Sequence, residues 1–235
     1  MSNCANNNRM KLVFYSGGQS RSNHELHKEV VKLARSITGR NRNRTLQLTY
    51  FPFCSDQASL YFHRIRRRFR GHGVERFFCL SVDDSPTADE IKIALQSDII
   101  YLAGGNTFYF QKYLRKTGML ERLASFAKRG GVLAGLSAGG LLMTPTTKMA
   151  ADPDLEPDEN EVGLRNFKAM GLVPFEFSPH FTRSAKSIQA HLAYSKKTKN
   201  PIYAVADGGG IIVNGKSIEI IGKASVFYRG YREII

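Results

Sequence analysis

The chain has 235 residues, 42% hydrophobic and 23% charged, which is ordinary globular usage and excludes a fibrous or wholly disordered protein. No apolar run approaches the roughly 20 residues that cross a bilayer, and three widely spaced cysteines without a CxxC argue against a disulfide framework or a structural zinc site. The 34 Lys and Arg against 20 Asp and Glu give a net charge of +14, which helps anionic partners to approach. We therefore expect one soluble, cytoplasmic domain over residues 1–235, with a flexible tail at 1–9.

The first part of the chain repeats a cycle of a short apolar run, a turn and a helix. Strands are predicted at 11–15, 45–51, 74–80, 99–103 and 132–136, and helices at 23–37, 55–70, 87–96 and from Thr107. Apolar runs that alternate with helices indicate an α/β fold with an open, mostly parallel, flavodoxin-like sheet and helices on both faces.

The second part of the chain has a different texture. Residues 151–161 (ADPDLEPDENE) are acidic and proline-containing and predict a loop, followed by a strand at 175–178, a helix at 184–194 and a strand at 202–206. From Gly208 onward, glycine turns separate short β-branched runs. This pattern predicts short antiparallel strands at the C-terminus.

Much of the positive charge falls in four groups, at 40–44, 64–70, 112–116 and 196–199. In the second group Tyr61, Ile65 and Phe69 recur every fourth residue, so a helix would bury these three and leave most of the arginines in water. The chain has no zinc-finger spacing, RNP motif or basic-zipper heptad. A solvated basic face is therefore favoured over a nucleic-acid surface, which stays the alternative.

A GxSxG sequence, Gly135 to Gly139, follows the strand predicted at 132–136. Glycines two residues before and two after Ser137 permit a tight strand-to-helix turn that presents the serine at the carboxyl edge of the sheet, where ligands bind in such folds. A merely structural turn is the alternative. This placement favours Ser137 as an exposed nucleophile.

An acyl-transfer intermediate needs two hydrogen-bond donors for its oxyanion, and the Ala138 amide supplies only one. The Gly104-Gly105 pair after the strand at 99–103 could supply the second through Gly105. A serine also needs a base, and of six histidines His180, in SPHF, alone follows a predicted strand.

A carboxylate should orient that histidine. Asp152, fifteen residues after the serine, and Asp207, just after the strand at 202–206, are both candidates on this reasoning.

The ordered set of GGNTF, GLSAGG, a following Asp and then SPHF resembles peptidase family S51, the alpha-aspartyl dipeptidase-like serine hydrolases, over most of the chain. The resemblance implies a fold like that of class I glutamine amidotransferases, with serine in place of cysteine, and no metal or organic cofactor. It also implies these roles: Ser137 as nucleophile, His180 as base, Asp152 as the favoured orienting acid with Asp207 as the alternative, and Gly105 with Ala138 as the oxyanion hole.

The resemblance further implies a short peptide substrate, with aspartate at its N-terminus. We expect Asn106 and Thr107 to contact the substrate, and Arg183 or Lys186, just beyond His180, to meet an acidic side chain. Exposed surface positions explain these two cations equally well. The dipeptidase prototype has a sequence closer to NPHF and a longer segment after the histidine. These departures weaken the expectation that the substrate carries an aspartate.

Other functions stay open at this point. An α/β-hydrolase esterase shares GxSxG, but its acid follows a later strand, and a glutamine amidotransferase would need cysteine at position 137. A serine hydrolase of another small amide or ester, and a non-catalytic protein that uses its basic surface, are further alternatives. We expect a monomer or a homodimer.

Overall fold

The computed structural model describes residues 9–18, 23–37, 44–56 and 58–235. Cys4 and the tail expected at 1–9, except Arg9, lie outside these ranges, as do Arg40 and Arg42 of the first basic group.

The strands follow the predicted apolar runs within a residue or two at each end. They are β1 (Lys11–Tyr15), β2 (Leu46–Phe51), β3 (Val74–Cys79), β4 (Ile99–Leu102), β5 (Val132–Leu136), β6 (Glu176–Ser178), β7 (Ile202–Val205), β8 (Gly210–Asn214), β9 (Ser217–Ile221), β10 (Ala224–Tyr228) and β11 (Tyr231–Ile234).

The helices lie between the strands, and several begin at capping side chains. They are α1 (His24–Arg35), α2 (Ala58–Arg70), α3 (Ala88–Leu95), α4 (Thr107–Lys116), α5 (Met119–Lys128), α6 (Ala138–Leu141) and α7 (Ala185–Ser195). Thr87 and Glu90 form a capping box at α3, and Ser184 caps α7. No helix in the described ranges is long and apolar enough to cross a membrane.

The larger sheet has seven strands in the order β3-β2-β4-β5-β1-β8-β9. Its first five strands are parallel, β8 pairs antiparallel with β1, and β9 pairs antiparallel with β8. Successive residues of a strand point to opposite faces, so Val13 and Tyr15 pack with α1 and α2, whereas Leu12 and Phe14 lie in the core that contains α4 and α5. The expected mostly parallel sheet with helices on both faces is confirmed.

A second sheet, in the order β11-β10-β7-β6, contains the last two strands of the chain. The C-terminal antiparallel strands are therefore present, but they are divided between two sheets. Gly222, at φ 90°, permits the turn from β9 of the larger sheet to β10 of the second sheet. A Cβ there would lie 2.9 Å from Gly209 Cα.

The basic helix α2 packs against the larger sheet through Ile65 and Phe69, which are buried as predicted. Tyr61 is only partly buried, because it lines a cleft beside the sheet's carboxyl edge. Arg64 lies over the Tyr61 ring at 5.5 Å and Arg66 over the Phe62 ring at 5.7 Å. The charged side of α2 thus faces outward, as the periodicity predicted.

Candidate active site

Ser137 occupies the turn between β5 and α6, at the carboxyl edge of the larger sheet. Its backbone is strained, with φ 49° and ψ −110°, and its amide donates to Tyr15 O at 2.9 Å. A Cβ at Gly135 would overlap the backbone of Gly139, and a Cβ at Gly139 would lie 2.6 Å from Leu102 O, so the turn needs glycine on both sides of the serine. The strand-to-helix elbow predicted from GxSxG is therefore present.

Ser137 Oγ lies 2.9 Å from His180 Nε2, and His180 Nδ1 lies 2.7 Å from Asp207 Oδ1. These three side chains form a continuous hydrogen-bonded chain. Such an arrangement can move a proton from the hydroxyl to the imidazole while the carboxylate fixes the orientation of the ring.

Asp152, the carboxylate favoured from its spacing, does not take part in this chain. It follows a 3-10 helix at Lys148–Ala151, and its Oδ2 accepts from Lys197 Nζ at 3.1 Å. Asp207 holds the position because β6 and β7 pair in parallel, with Ser178 opposite Ala204, so that the residues just beyond both strand ends lie together. The sequence-based choice of Asp152 over Asp207 is corrected by this geometry.

Ser16, which the sequence did not single out, supports the histidine. Its buried Oγ donates to Val205 O at 2.8 Å and accepts from the His180 amide at 2.7 Å. These bonds fix a histidine whose φ is 57°. Ser16 directly follows β1, at the same sheet edge as Ser137, and this position is the sequence signal by which it could have been found.

Gly17 lies directly against this hydrogen-bonded chain. A Cβ at this position would overlap Asp207 Oδ1 and lie 2.5 Å from His180 Cε1. Only glycine leaves room for both side chains.

The expected oxyanion donors are Gly105, in the turn after β4, and Ala138, the first residue of α6. The two segments are neighbours, since a Cβ at Gly104 would lie 3.4 Å from Ser137 Cβ. Gly105 has φ 139°, and a Cβ there would overlap the Phe53 ring. Within the described ranges the amides of Gly105 and Ala138 donate to no protein acceptor, whereas the Gly139 amide donates to Ala103 O at 3.1 Å. Two amides beside the serine are thus available to a ligand.

Asn106 and Thr107 hold the acidic loop at 151–161 in place. Asn106 caps α4 by accepting from the Tyr109 amide at 2.9 Å, and its Nδ2 donates to Glu159 O at 2.7 Å. The Thr107 amide donates to Asp158 Oδ2 at 2.8 Å. Their polar groups therefore position the loop, and Thr107 also borders a small cavity next to Ser137.

Arg183 and Lys186 are both exposed. Lys186 borders a cleft that also reaches His180, but Asp154 and Glu156 of the acidic loop line the same cleft. Arg183 is not part of its lining. The structure therefore brings one of the two expected cations toward the site.

Two cavities meet at Ser137 and His180. The smaller one, of about 90 Å³, lies on the side of the acidic loop, and the larger one, of about 280 Å³, lies on the side of Gly105 and α2. Within the described residues no group of three or more His, Cys, Asp or Glu side chains is arranged to hold a metal ion.

The family of this chain follows from its similarity to known proteins. The sequence profile of peptidase family S51 matches residues 12–221. The chain belongs to peptidase family S51. Its relatives include peptidase E of Citrobacter koseri, 34% identical over 98 residues, which are 41% of this chain and 40% of the relative. Peptidase E of Salmonella arizonae is 39% identical over 90 residues, 38% of this chain and 36% of the relative.

These alignments span about two fifths of the length of the curated relatives. Two solved structures share the fold over almost the whole chain. A peptidase from an acI-B1 Actinobacterium has a TM-score of 0.72 at 13% identity and covers 97% of this chain and 95% of its own. A candidate peptidase E protein from Listeria monocytogenes has a TM-score of 0.67 at 22% identity, with 91% and 98% covered.

Proposed function

We propose that this S51 family member is a serine peptidase that hydrolyses short peptides through an acyl-enzyme. The observation that carries the proposal is the hydrogen-bonded chain from Ser137 through His180 to Asp207, beside two amides that donate to no acceptor in the described part of the protein. Nucleophile, base, orienting acid and oxyanion donors are the full set that acyl transfer requires.

The reaction follows from these positions. Ser137 Oγ attacks the peptide carbonyl carbon while its proton passes to His180 Nε2, and the negative charge that develops on the carbonyl oxygen is met by the amides of Gly105 and Ala138. The C–N bond then breaks, and the leaving amine takes the proton from Nε2. Water, deprotonated by the same nitrogen, releases the acid and restores the serine. Asp207 stabilises the imidazolium at each stage by accepting from Nδ1–H.

The family resemblance also suggests an N-terminal aspartate in the substrate. Lys186 is the cation that could meet it, yet Asp154 and Glu156 border the same cleft and would repel a carboxylate. The geometry supports a peptidase of short peptides better than it supports an aspartyl preference. We also place the protein in the cytoplasm, because three widely spaced cysteines without a CxxC argue against a disulfide framework.

The test is hydrolysis of a panel of dipeptides by the purified protein and its Ser137→Ala variant. The panel carries Asp, Glu or a neutral residue at the N-terminus. We expect the wild type to cleave at least one class and the variant, with an unchanged circular dichroism spectrum, to lose several orders of magnitude in kcat/KM. Near-normal turnover by the folded variant, or salt-sensitive nucleic-acid binding with no reaction at Ser137, would contradict the proposal.

A further inference from the structure

We infer that the larger cavity beside Ser137 is a specificity pocket for an aromatic or large apolar side chain next to the scissile bond. This inference rests on the proposed peptidase function and names its substrate class. It differs from the aspartyl preference that the family resemblance suggests.

The cavity has aromatic walls built by the larger sheet and by α2. Tyr50 of β2 and Tyr101 of β4 are direct partners across the parallel pair, with ring centroids 6.2 Å apart. Phe53 closes the side next to Gly105, and Tyr61 and Ile65 of α2 cover the top. Flat, apolar surfaces on several sides favour a ring or a branched aliphatic group.

The lining carries no acid or cation among the described residues except the imidazole of His180. Burial raises the pKa of both Tyr50 and Tyr101 well above the ordinary value for tyrosine, so both phenols are neutral. The charge of Arg68 acts on Tyr101 from outside the lining, but no lysine or arginine among the described residues lines the cavity, so a carboxylate there would lose its water without forming a direct ion pair. The pocket therefore disfavours an aspartate side chain.

Two polar groups are nevertheless available inside the cavity. Tyr50 and Tyr101 are 3% and 2% exposed, and no hydrogen bond joins either hydroxyl to another residue within the described ranges. A substrate side chain with a polar tip, such as tyrosine, could form a hydrogen bond with these hydroxyls, and so could water.

The cavity also has the right position and size. Gly105 and Ser137 both line it, so a substrate whose carbonyl oxygen meets the Gly105 amide has a neighbouring side chain within reach of the aromatic walls. Its volume of about 280 Å³ is just below the roughly 300–1,000 Å³ of pockets for whole ligands, which suits one side chain.

The test compares Phe-Ala, Tyr-Ala, Ala-Phe, Ala-Ala and Asp-Ala as substrates at about 0.5 M salt, where the general attraction of the basic protein for acidic peptides is screened. We expect kcat/KM for the best aromatic peptide to exceed that for Ala-Ala and Asp-Ala by about tenfold or more. Phe-Ala against Ala-Phe then tells on which side of the scissile bond the pocket acts.

Two variants of α2 test whether the preference for aromatic peptides arises in this cavity. Ile65→Phe narrows the cavity, and Leu60→Phe makes the same change at an exposed position of the same helix. We expect Ile65→Phe to lower kcat/KM for the aromatic peptide about tenfold while Ala-Ala changes less than about twofold, and Leu60→Phe to alter neither. Should Ile65→Phe not fold, Tyr61→Trp makes a similar change at a partly exposed position.

The outcomes separate this inference from the proposed function. Ser137-dependent cleavage that favours Asp-Ala overturns the inferred pocket and leaves the proposed peptidase function intact. An equal effect of Ile65→Phe on the aromatic peptide and on Ala-Ala has the same meaning. If the wild type cleaves no peptide, the proposed function fails, and calorimetric binding of Phe-Ala and Asp-Ala to the wild type decides the pocket. Tighter binding of Phe-Ala supports it, and equal or weaker binding overturns it.

Discussion

The geometry of Ser137 and His180 depends on residues that do not react. Ser16 holds the histidine backbone, Gly17 leaves space for the ring and Asp207 sets its orientation. Catalytic groups need positioning within fractions of an ångström. Changes at these supporting positions should therefore alter turnover more than stability.

Replacing the two candidate carboxylates separately tests which one orients the base. Asp207→Asn keeps the shape of the side chain but removes the charge that stabilises the imidazolium, so we expect kcat to fall by about 10⁴. Asp152→Asn, the matched control, breaks only the contact with the exposed Lys197 and should keep kcat near the wild-type value. Steady-state kinetics on the best substrate measures both. A large loss in Asp152→Asn with normal Asp207→Asn would reverse the assignment.

Gly17→Ala tests the space beside the imidazole. The new methyl group would overlap Asp207 Oδ1, so the carboxylate or the ring must move, and we expect kcat to fall at least about 100-fold. Gly71→Ala is the control, because a Cβ there meets only the Arg68 carbonyl at 3.4 Å. Circular dichroism and thermal unfolding check that both variants fold. Unchanged turnover by Gly17→Ala would show that the site accommodates the methyl group.

At the scale of elements, the elbow between β5 and α6 is closely packed, backbone against backbone. A Cβ at Gly135 would overlap the Gly139 backbone and lie 2.6 Å from the Gly140 nitrogen. Backbone atoms cannot turn aside as a flexible side chain does. We expect Gly135→Ala to lower the free energy of unfolding by about 1–3 kcal/mol, which urea titration measures. A loss no larger than that of Gly71→Ala would contradict this account.

The first five strands and the helices between them could be predicted from sequence because their signals are local. Apolar runs, turn glycines and helical periodicity lie within a few residues of each other. The division of the C-terminal strands between two sheets could not be predicted, because it depends on which distant strand each one pairs with. The positions of the strands and helices could thus be predicted, whereas the pairing of the strands could not.

The same distinction explains what could be predicted of the candidate site. Ser137 and His180 follow recognisable strand ends, and the structure brings their side chains together. Choosing Asp207 over Asp152 requires knowing that β6 pairs with β7, and finding Ser16 requires knowing that β1 ends beside both. Asn106 and Thr107 lie beside the site, but the Asn106 side chain and the Thr107 amide are already bonded to the acidic loop, and the buried Thr107 hydroxyl has no hydrogen-bond partner among the described residues.

At the scale of the whole molecule, the net charge of +14 is spread over surface groups such as the outward arginines of α2. This field speeds the encounter with acidic peptides but fades within roughly 8–10 Å at moderate salt. The selectivity that we infer for the aromatic cavity acts at contact distance, where salt has little effect. On this proposal, encounter rate and selectivity have separate physical origins.

The burial of His27 near other positive charges also limits the pH range in which the fold is stable. His27 of α1 is 4% exposed, and its Nδ1 lies 3.0 Å from the Tyr15 hydroxyl. Burial, and then the positive charges of His72, Arg68 and His24, lower the pKa of His27 to about 3. The folded protein thus holds a neutral histidine where the unfolded chain would hold a charged one.

This difference predicts how the stability of the whole molecule depends on pH. An unfolded histidine titrates near pH 6.5, so between about pH 6.5 and 3 the unfolded state binds a proton that the folded state does not. The free energy of unfolding should therefore fall as the pH falls through this window, by up to about 1.4 kcal/mol per pH unit from His27. Urea titrations at several values between pH 7 and 4 measure the slope for the wild type and for His27→Gln. We expect the variant, whatever its stability at neutral pH, to show a shallower loss, while His72 contributes equally to both. Parallel curves would mean that His27 takes up its proton without unfolding.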